Sequence, residues 1–152
     1  MKSFLLNSKT NTPILKWGLI PKDTHFIGDV PEGYYLAVSP SDEKTVIIDV
    51  DVKNGKNGYN HIPLEIIDEL EQSFWYHSKS GGGHYYFHYT GNKLLRNGTT
   101  NFGIDLRIGP NKATGNAGGY VRYYHNVPIQ ECMHLIKETS KDLNLWIENL
   151  FA

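Results

Sequence analysis

Apolar and polar residues alternate most sharply from Thr45 to Val52. Val46, Ile48, Val50 and Val52 fall on one side of an extended chain, and Ile47, Asp49 and Asp51 on the other. A period of two predicts a strand. Similar runs predict strands over Tyr34–Val38, Phe74–His77, His84–Tyr89, Ile104–Ile108 and Gly119–Tyr124. Helical spacing takes over elsewhere. Pro63 suits a first helical turn, and Leu64, Ile67 and Leu70 give that helix an apolar face through about Gln72. After Pro128, Ile129, Cys132, Met133 and Ile136 form one stripe, and Leu143, Trp146, Ile147 and Leu150 a second, predicting a helical segment over 128–151. Asn54-Gly55, Asn57-Gly58 and Gly81–Gly83 mark turns, Gly109–Gly118 a Gly/Asn-rich loop, and Thr12–Gly33 irregular chain. Strands predominate in the centre and helices cover one side, an α+β arrangement.

Composition narrows the class. The 152 residues show no fixed-period repeat and no low-complexity linker, which predicts one domain over 1–152. No apolar run approaches the roughly 20 residues of a membrane span, and MKSFLLNSK is too short an apolar stretch for a secretory signal. Cys132, the only cysteine, excludes a disulfide framework and a cysteine zinc site within one chain and reads as a small buried hydrophobe. A reducing cytoplasm is the expected compartment. The net charge of −1 argues against indiscriminate nucleic-acid binding, but it is unevenly spread. Met1–Ser78 carries −4, Lys79–His125 carries +5 with Asp105 as its single acid, and the remainder −2. A basic middle beside an acidic pair suits a phosphate-bearing ligand held with a divalent cation, although lopsided surfaces also arise by chance.

Three constellations could carry chemistry. Asp49 and Asp51 share one face of a strand, where their carboxylates repel and one resists ionisation unless a cation neutralises them. Mg²⁺ or Mn²⁺ fits such oxygen ligands; an isolated D-x-D is more often a strand end with two solvated acids. A calcium EF-hand loop fails at Lys53, Asn54 and Asn60. In SKSGGGHYYFHY, Ser78–Tyr89, the backbone amides of Gly81, Gly82 and Gly83 can approach an anion, Lys79 adds charge, and His84 can donate to a phosphate oxygen. The alternative is a Gly-rich hairpin with a core-edge histidine. In GIDLRIG, Asp105 and Arg107 share a strand face, either as a self-paired surface bridge or as a third carboxylate beside a phosphate-clamping arginine. Trp17, Trp75 and Trp146 read as core residues. Tyr120, Arg122 and Tyr124 share a strand face and could stack bases, meet phosphate or simply pack. His77, His88 and His125 have no ligand spacing.

The order DVD, SGGGHYYF, GIDLR and GGYVRY resembles the primase–polymerase domain of the archaeo-eukaryotic primase superfamily in its phage and plasmid form, over roughly Tyr34 to Tyr124. The resemblance implies a central, mainly antiparallel sheet of an RRM-like primase catalytic core with flanking helices. It also implies Asp49, Asp51 and Asp105 as metal ligands, and His84 and Arg107, with Ser80 at the motif serine, as nucleotide contacts. Nucleoside triphosphates, a single-stranded DNA template and a helicase or other replication protein are the implied partners, in a host-cell cytoplasm. The chain carries no Walker A loop and no cysteine set that would mark the accessory modules of such proteins. The residues alone also admit a two-metal nuclease, or a catalytically silent nucleotide- or nucleic-acid-binding module with the same fold.

Overall fold

The structure, a computed structural model, describes residues 1–42, 44–110 and 118–151. In chain order the elements are β1 (Lys2–Asn7), β2 (Tyr34–Ser39), β3 (Thr45–Val50), β4 (Val52–Lys53), β5 (Lys56–Asn57), α1 (Leu64–Leu70), β6 (Trp75–His77), β7 (Gly83–His88), β8 (Gly98–Thr99), β9 (Ile104–Ile108), β10 (Val121–Arg122), α2 (Ile129–Cys132), β11 (Lys137–Glu138) and α3 (Lys141–Asn149). The chain is α+β, and its sheets are mostly antiparallel.

The strongest alternating segment becomes the central strand. β3 pairs antiparallel with β7 on one side and β9 on the other, in a sheet ordered β11-β7-β3-β9-β8, with β6 also on the outer edge of β7. β11 joins in parallel. One face of this sheet presents Val46, Ile48, Val50, Tyr85, Phe87, Ile104, Leu106 and Ile108 to Ile66 and Leu70 of α1 and Leu143 and Ile147 of α3. Each such side chain contributes roughly 1.5–3 kcal/mol by leaving water. On the other face Ile47 and Tyr86 meet Val38 and Val121 of a second sheet, ordered β1-β2-β10, together with Ile129 and Cys132 of α2. The far side of the second sheet carries Phe4, Leu6 and Ala37 under Trp17, Ile20, Tyr35 and Tyr120.

The period-two readings of β2, β6, β7 and β9 agree with the structure to within a residue or two, and Thr12–Gly33 is irregular apart from a 3-10 turn at Trp17–Leu19. Several expectations are corrected. β3 stops at Val50, one turn of the pleat before Val52, because Asp51 leaves the ladder to join the backbone of other loops. β1 was hidden in a stretch read only for targeting signals, although Phe4 and Leu6 alternate as a buried strand face requires. The α1 face is turned: Ile66 and Leu70 are buried while Leu64, directly after Pro63, is 77% exposed. The strand over Gly119–Tyr124 contracts to β10, which pairs with β2 in the second sheet. The C-terminal segment is not continuously helical, since β11 separates α2 from α3 by docking beside β7. Helices also flank both faces of the central sheet, with α2 opposite α1 and α3. Trp75 and Trp146 pack half-buried on the main core and Trp17 on the outer cluster. Of the loop Gly109–Gly118, residues 111–117 lie outside the described residues.

Glycines secure the end of β3. Asn54 and Gly55, with φ of 54° and 76°, form the turn of the β4–β5 hairpin, the conformation for which Asn-Gly is selected. Beyond it, Gly58 N–H donates to Asp51 O at 2.9 Å and Asp51 N–H to Gly103 O at 2.8 Å, so three segments cross at Asp51. A Cβ on Gly58 would overlap the Gly103 carbonyl and meet Val50 Cγ1 at 2.9 Å, whereas at Gly55 it would meet open space. Urea unfolding should therefore rank the two. Gly58→Ala is expected to cost about 2–3 kcal/mol by steric overlap, and Gly55→Ala about 1 kcal/mol from its positive φ alone. Equal costs would mean that the crossing at Asp51 is not tightly packed.

Candidate metal centre and cleft

Three carboxylates converge because β3 has polar neighbours on both sides at one level. The register sets Asp49 opposite His84 of β7 and opposite Asp105 of β9, so His84, Asp49 and Asp105 form a row across the sheet. Two residues along, Ile47 lies between Tyr86 and Arg107. Asp51, just past the strand, brings its carboxylate to the same place. One oxygen from each of Asp49, Asp51 and Asp105 lies within 4.8 Å of the others, and this cluster could hold a metal ion.

Charge and burial are in tension there. Asp49 Oδ1 is buried and makes no hydrogen bond, although His84 Nε2 approaches it to 3.3 Å. An unsatisfied buried polar oxygen costs roughly 1–3 kcal/mol, more when charged. Burial pushes the Asp105 carboxyl up to about 6; Arg107, 3.3 Å away, opposes the rise, and Asp49 and Asp51 add to it. Burial likewise raises the Asp51 pKa, with Asp49 adding and Lys53, at 3.8 Å, opposing. A divalent cation bound among the three would offset most of their charge.

The cluster lies at the base of a cleft of about 760 Å³, a size that suits a small-molecule ligand. Ser78, Lys79, Ser80, His84 and Arg107 line it from the central sheet and its loop, and Tyr120, Arg122 and Tyr124 from the second sheet. The candidate residues Asp49, Asp51, Asp105, His84, Arg107, Lys79 and Ser80 are thus brought together. Gly82 and Gly83 are the exception. They are buried behind the cleft, where a Cβ on Gly82 would overlap the Val50 carbonyl and one on Gly83 would lie 2.8 Å from Tyr59 Oη. Gly82 O accepts from Ser78 N–H, closing the turn, and Gly83 pairs with both Val50 and His77. The missing side chains of these two glycines serve close packing, and neither residue is among those that line the cleft.

Ser78 and Tyr76 join the site with no role predicted from their sequence positions, and Arg122 joins it from the second sheet. Ser78 lines the cleft with a buried Oγ that has no hydrogen-bond partner. Arg122 has its guanidinium 3.2 Å from the ring centre of Tyr35 and 4.7 Å from that of Tyr124, a cation held between two aromatic faces. The alternation of Tyr120, Arg122 and Tyr124 was a signal for this wall. Tyr76, opposite His84 in the β6–β7 pairing, places Oη 3.0 Å from His84 Nδ1 and 2.6 Å from Tyr86 Oη. Burial raises both phenol pKa values well above the usual tyrosine range, so both keep their protons. His77 contacts Gly82 O, His88 contacts Thr45, and His125 packs among Phe74, Tyr76 and Tyr123, all apart from the acidic cluster. No described helix is long and apolar enough to cross a membrane. No protein-family model matches the chain, and no curated protein matches it significantly.

The raised Asp105 pKa has a definite sign for stability. Because its folded value of about 6 exceeds the ordinary 3.8, ionised Asp105 opposes folding, fully above pH 6 and not at all below 4. In chelator, Asp105→Asn should therefore raise the melting temperature at about pH 8, by roughly 3–6 °C for a gain of about 1–2 kcal/mol once the weakened Arg107 contact is allowed for. The gain should shrink as pH falls through 6 and vanish near 4. Added divalent cation should stabilise the unsubstituted protein more than the variant. A melting temperature lowered by Asp105→Asn at every pH would contradict this account.

Proposed function

We propose that the chain is a metal-dependent nucleotidyltransferase of primase–polymerase type, incorporating nucleotides on a single-stranded DNA template during replication. The observation that carries the reading is the row His84–Asp49–Asp105 with Asp51 beside it, facing a cleft whose remaining charges are cationic. In this reading the sheet built on β3 is the RRM-like core of a primase catalytic domain.

Asp49, Asp51 and Asp105 would hold Mg²⁺ or Mn²⁺, since hard cations take carboxylate oxygens and keep sites open for phosphate. Such ions, when bound, stabilise charge on the attacking and leaving oxygens of an in-line displacement at phosphorus. The chain's own residues account for the rest. Three acids face four cationic side chains, Lys53, Lys79, Arg107 and Arg122, so the cleft becomes strongly positive once divalent ions offset the acids. That field suits a triphosphate and would be unsuited to a neutral ligand. His84 offers a hydrogen bond beside Asp49, Arg107 offers guanidinium N–H groups beside Asp105, and Lys79 and Ser80 offer donors from the loop. These groups would orient the triphosphate so that an acceptor 3′-hydroxyl attacks the α-phosphorus and pyrophosphate leaves. A helicase or another replication protein is the expected companion.

Primer-extension and de novo priming assays with Mg²⁺ or Mn²⁺ test the proposal. The intact protein should incorporate nucleotide, and Asp49→Ala/Asp51→Ala should lower the rate by about 10³-fold or more, corresponding to several kcal/mol of lost charge stabilisation. Arg107→Ala should raise KM for the triphosphate about 10- to 100-fold, the worth of one charged hydrogen bond. No incorporation by the intact protein, or full incorporation by the double variant, would overturn the assignment. Metal-dependent cleavage of DNA without triphosphate binding in calorimetry would point to a nuclease instead.

A further inference from the structure

His84 is 4% exposed, and its ring is held edge-on against Tyr76, so how it serves the cleft depends on which ring nitrogen carries the proton. Two tyrosines behind it decide that. Tyr86 is fully buried, and among the described residues its hydroxyl has one hydrogen-bond partner, Tyr76 Oη at 2.6 Å. A phenol carries one proton and two lone pairs. With one partner in dry surroundings, Tyr86 satisfies its O–H only by donating it to Tyr76. Tyr76 must then direct its own proton elsewhere. It has His84 Nδ1 at 3.0 Å and the Arg122 carbonyl at 3.4 Å, of which the imidazole nitrogen is the nearer.

The opposite side of the ring gives the same answer. Nε2 lies 3.3 Å from Asp49 Oδ1, an acceptor with no hydrogen bond of its own. An N–H on Nε2 is attracted to that oxygen, whereas a lone pair there would be repelled by it. We infer that Tyr76 is a positioning residue: it accepts a hydrogen bond from the Tyr86 hydroxyl and donates its own O–H to His84 Nδ1, which keeps the imidazole proton on Nε2, beside Asp49. The relay needs no net transfer of a proton; it selects a tautomer and fixes the ring plane. Its consequence for triphosphate binding rests on the proposed nucleotidyltransferase activity. There, Nε2–H would be the donor that the ring offers to a phosphate oxygen once a cation takes up the Asp49 charge.

Nitrogen-15 NMR of histidine-labelled protein reads the tautomer directly, without substrate or activity. The His84 resonance is identified as the one lost in His84→Gln. At about pH 8, where an ordinary imidazole is neutral, His84 should show a protonated Nε2 and a bare Nδ1. Tyr76→Phe should abolish that selection and give a mixture or the opposite tautomer. If Tyr76→Phe does not fold, Tyr86→Phe is read in the same way, with a partial mixture expected because Tyr76 loses its ordering donor. A proton on Nδ1 in the unsubstituted protein would overturn the inference, as would an unchanged tautomer in a folded variant of either tyrosine. A second readout applies where incorporation is observed. Tyr76→Phe should raise KM for the triphosphate about tenfold in the unsubstituted background and leave it unchanged in the His84→Gln background, since a tenfold effect is the size of one lost hydrogen bond. An equal effect in both backgrounds would mark Tyr76 as merely structural. An enzyme that incorporates nothing would remove the proposed activity and leave the tautomer result standing.

Discussion

Asp49 occupies a position that hydrophobic packing alone would not choose for a carboxylate. It sits on the central strand of the main sheet, with strands on both sides, His84 and Asp105 as its cross-strand neighbours, and one oxygen buried without a hydrogen bond. A leucine there would continue the apolar face begun by Ile47 and Tyr86. The surrounding structure reads as an accommodation of that charge. Gly58 and Gly103 let two loops close on the Asp51 backbone, so a second acid follows the first without lengthening the strand. Arg107 is set beside Asp105, Lys53 beside Asp51 and His84 beside Asp49, yet Asp105 stays reluctant to ionise. Two surface-type ion pairs cannot offset three converging carboxylates. What remains is a cluster that could hold a metal ion.

The two sheets divide this work. Toward one end their facing sides are apolar, with Ile47 and Tyr86 closed over by Val38, Val121 and α2. Toward the other end they leave the cleft, with acids on the central sheet and Arg122 on the second. Arg122 finds aromatic faces at Tyr35 and Tyr124, which fix the guanidinium plane without neutralising it. Neutralisation by a protein carboxylate would have cancelled its field at the cleft; stacking does not. The same economy appears behind His84, where neutral phenols rather than an acid hold the ring.

How much of this was legible in the sequence follows from the range of the interactions involved. The alternation of Val46, Ile48 and Val50, of Tyr85 and Phe87, and of Ile104, Leu106 and Ile108 is local, and it assigned those side chains to the face they occupy. Polar residues at the opposite phase, Asp49, His84, Asp105 and Arg107, were therefore recognisable as one group. Their alignment at one level was not, because register depends on turns and on chain lying dozens of residues away. The pairing of β10 with β2 is of that kind, and so is the docking of β11 beside β7. Tyr76 was unreadable for the same reason: only the β6–β7 register sets it opposite His84. Gly82 and Gly83 show the converse. A run of glycines is compatible with a phosphate-binding loop, but only tertiary contact reveals that their missing side chains make room for Val50, Tyr59 and Tyr85.

The packing of Gly82 and Gly83 also refines how the cleft is built. The residues of this loop that line the cleft are Lys79 and Ser80, which are exposed, and Ser78, whose buried Oγ lacks a partner. Glycine then has an indirect part. By letting β7 begin flush against Val50, Gly82 and Gly83 bring His84 level with Asp49, and the loop they end projects its serines and lysine over the carboxylates. An alanine at Gly82 would collide with the Val50 backbone of β3, and one at Gly83 with the Tyr59 hydroxyl and the Tyr85 ring. The opening run of VIIDVD and the SGGGH turn are therefore one structural unit: the packing of the second determines what the acids of the first can face.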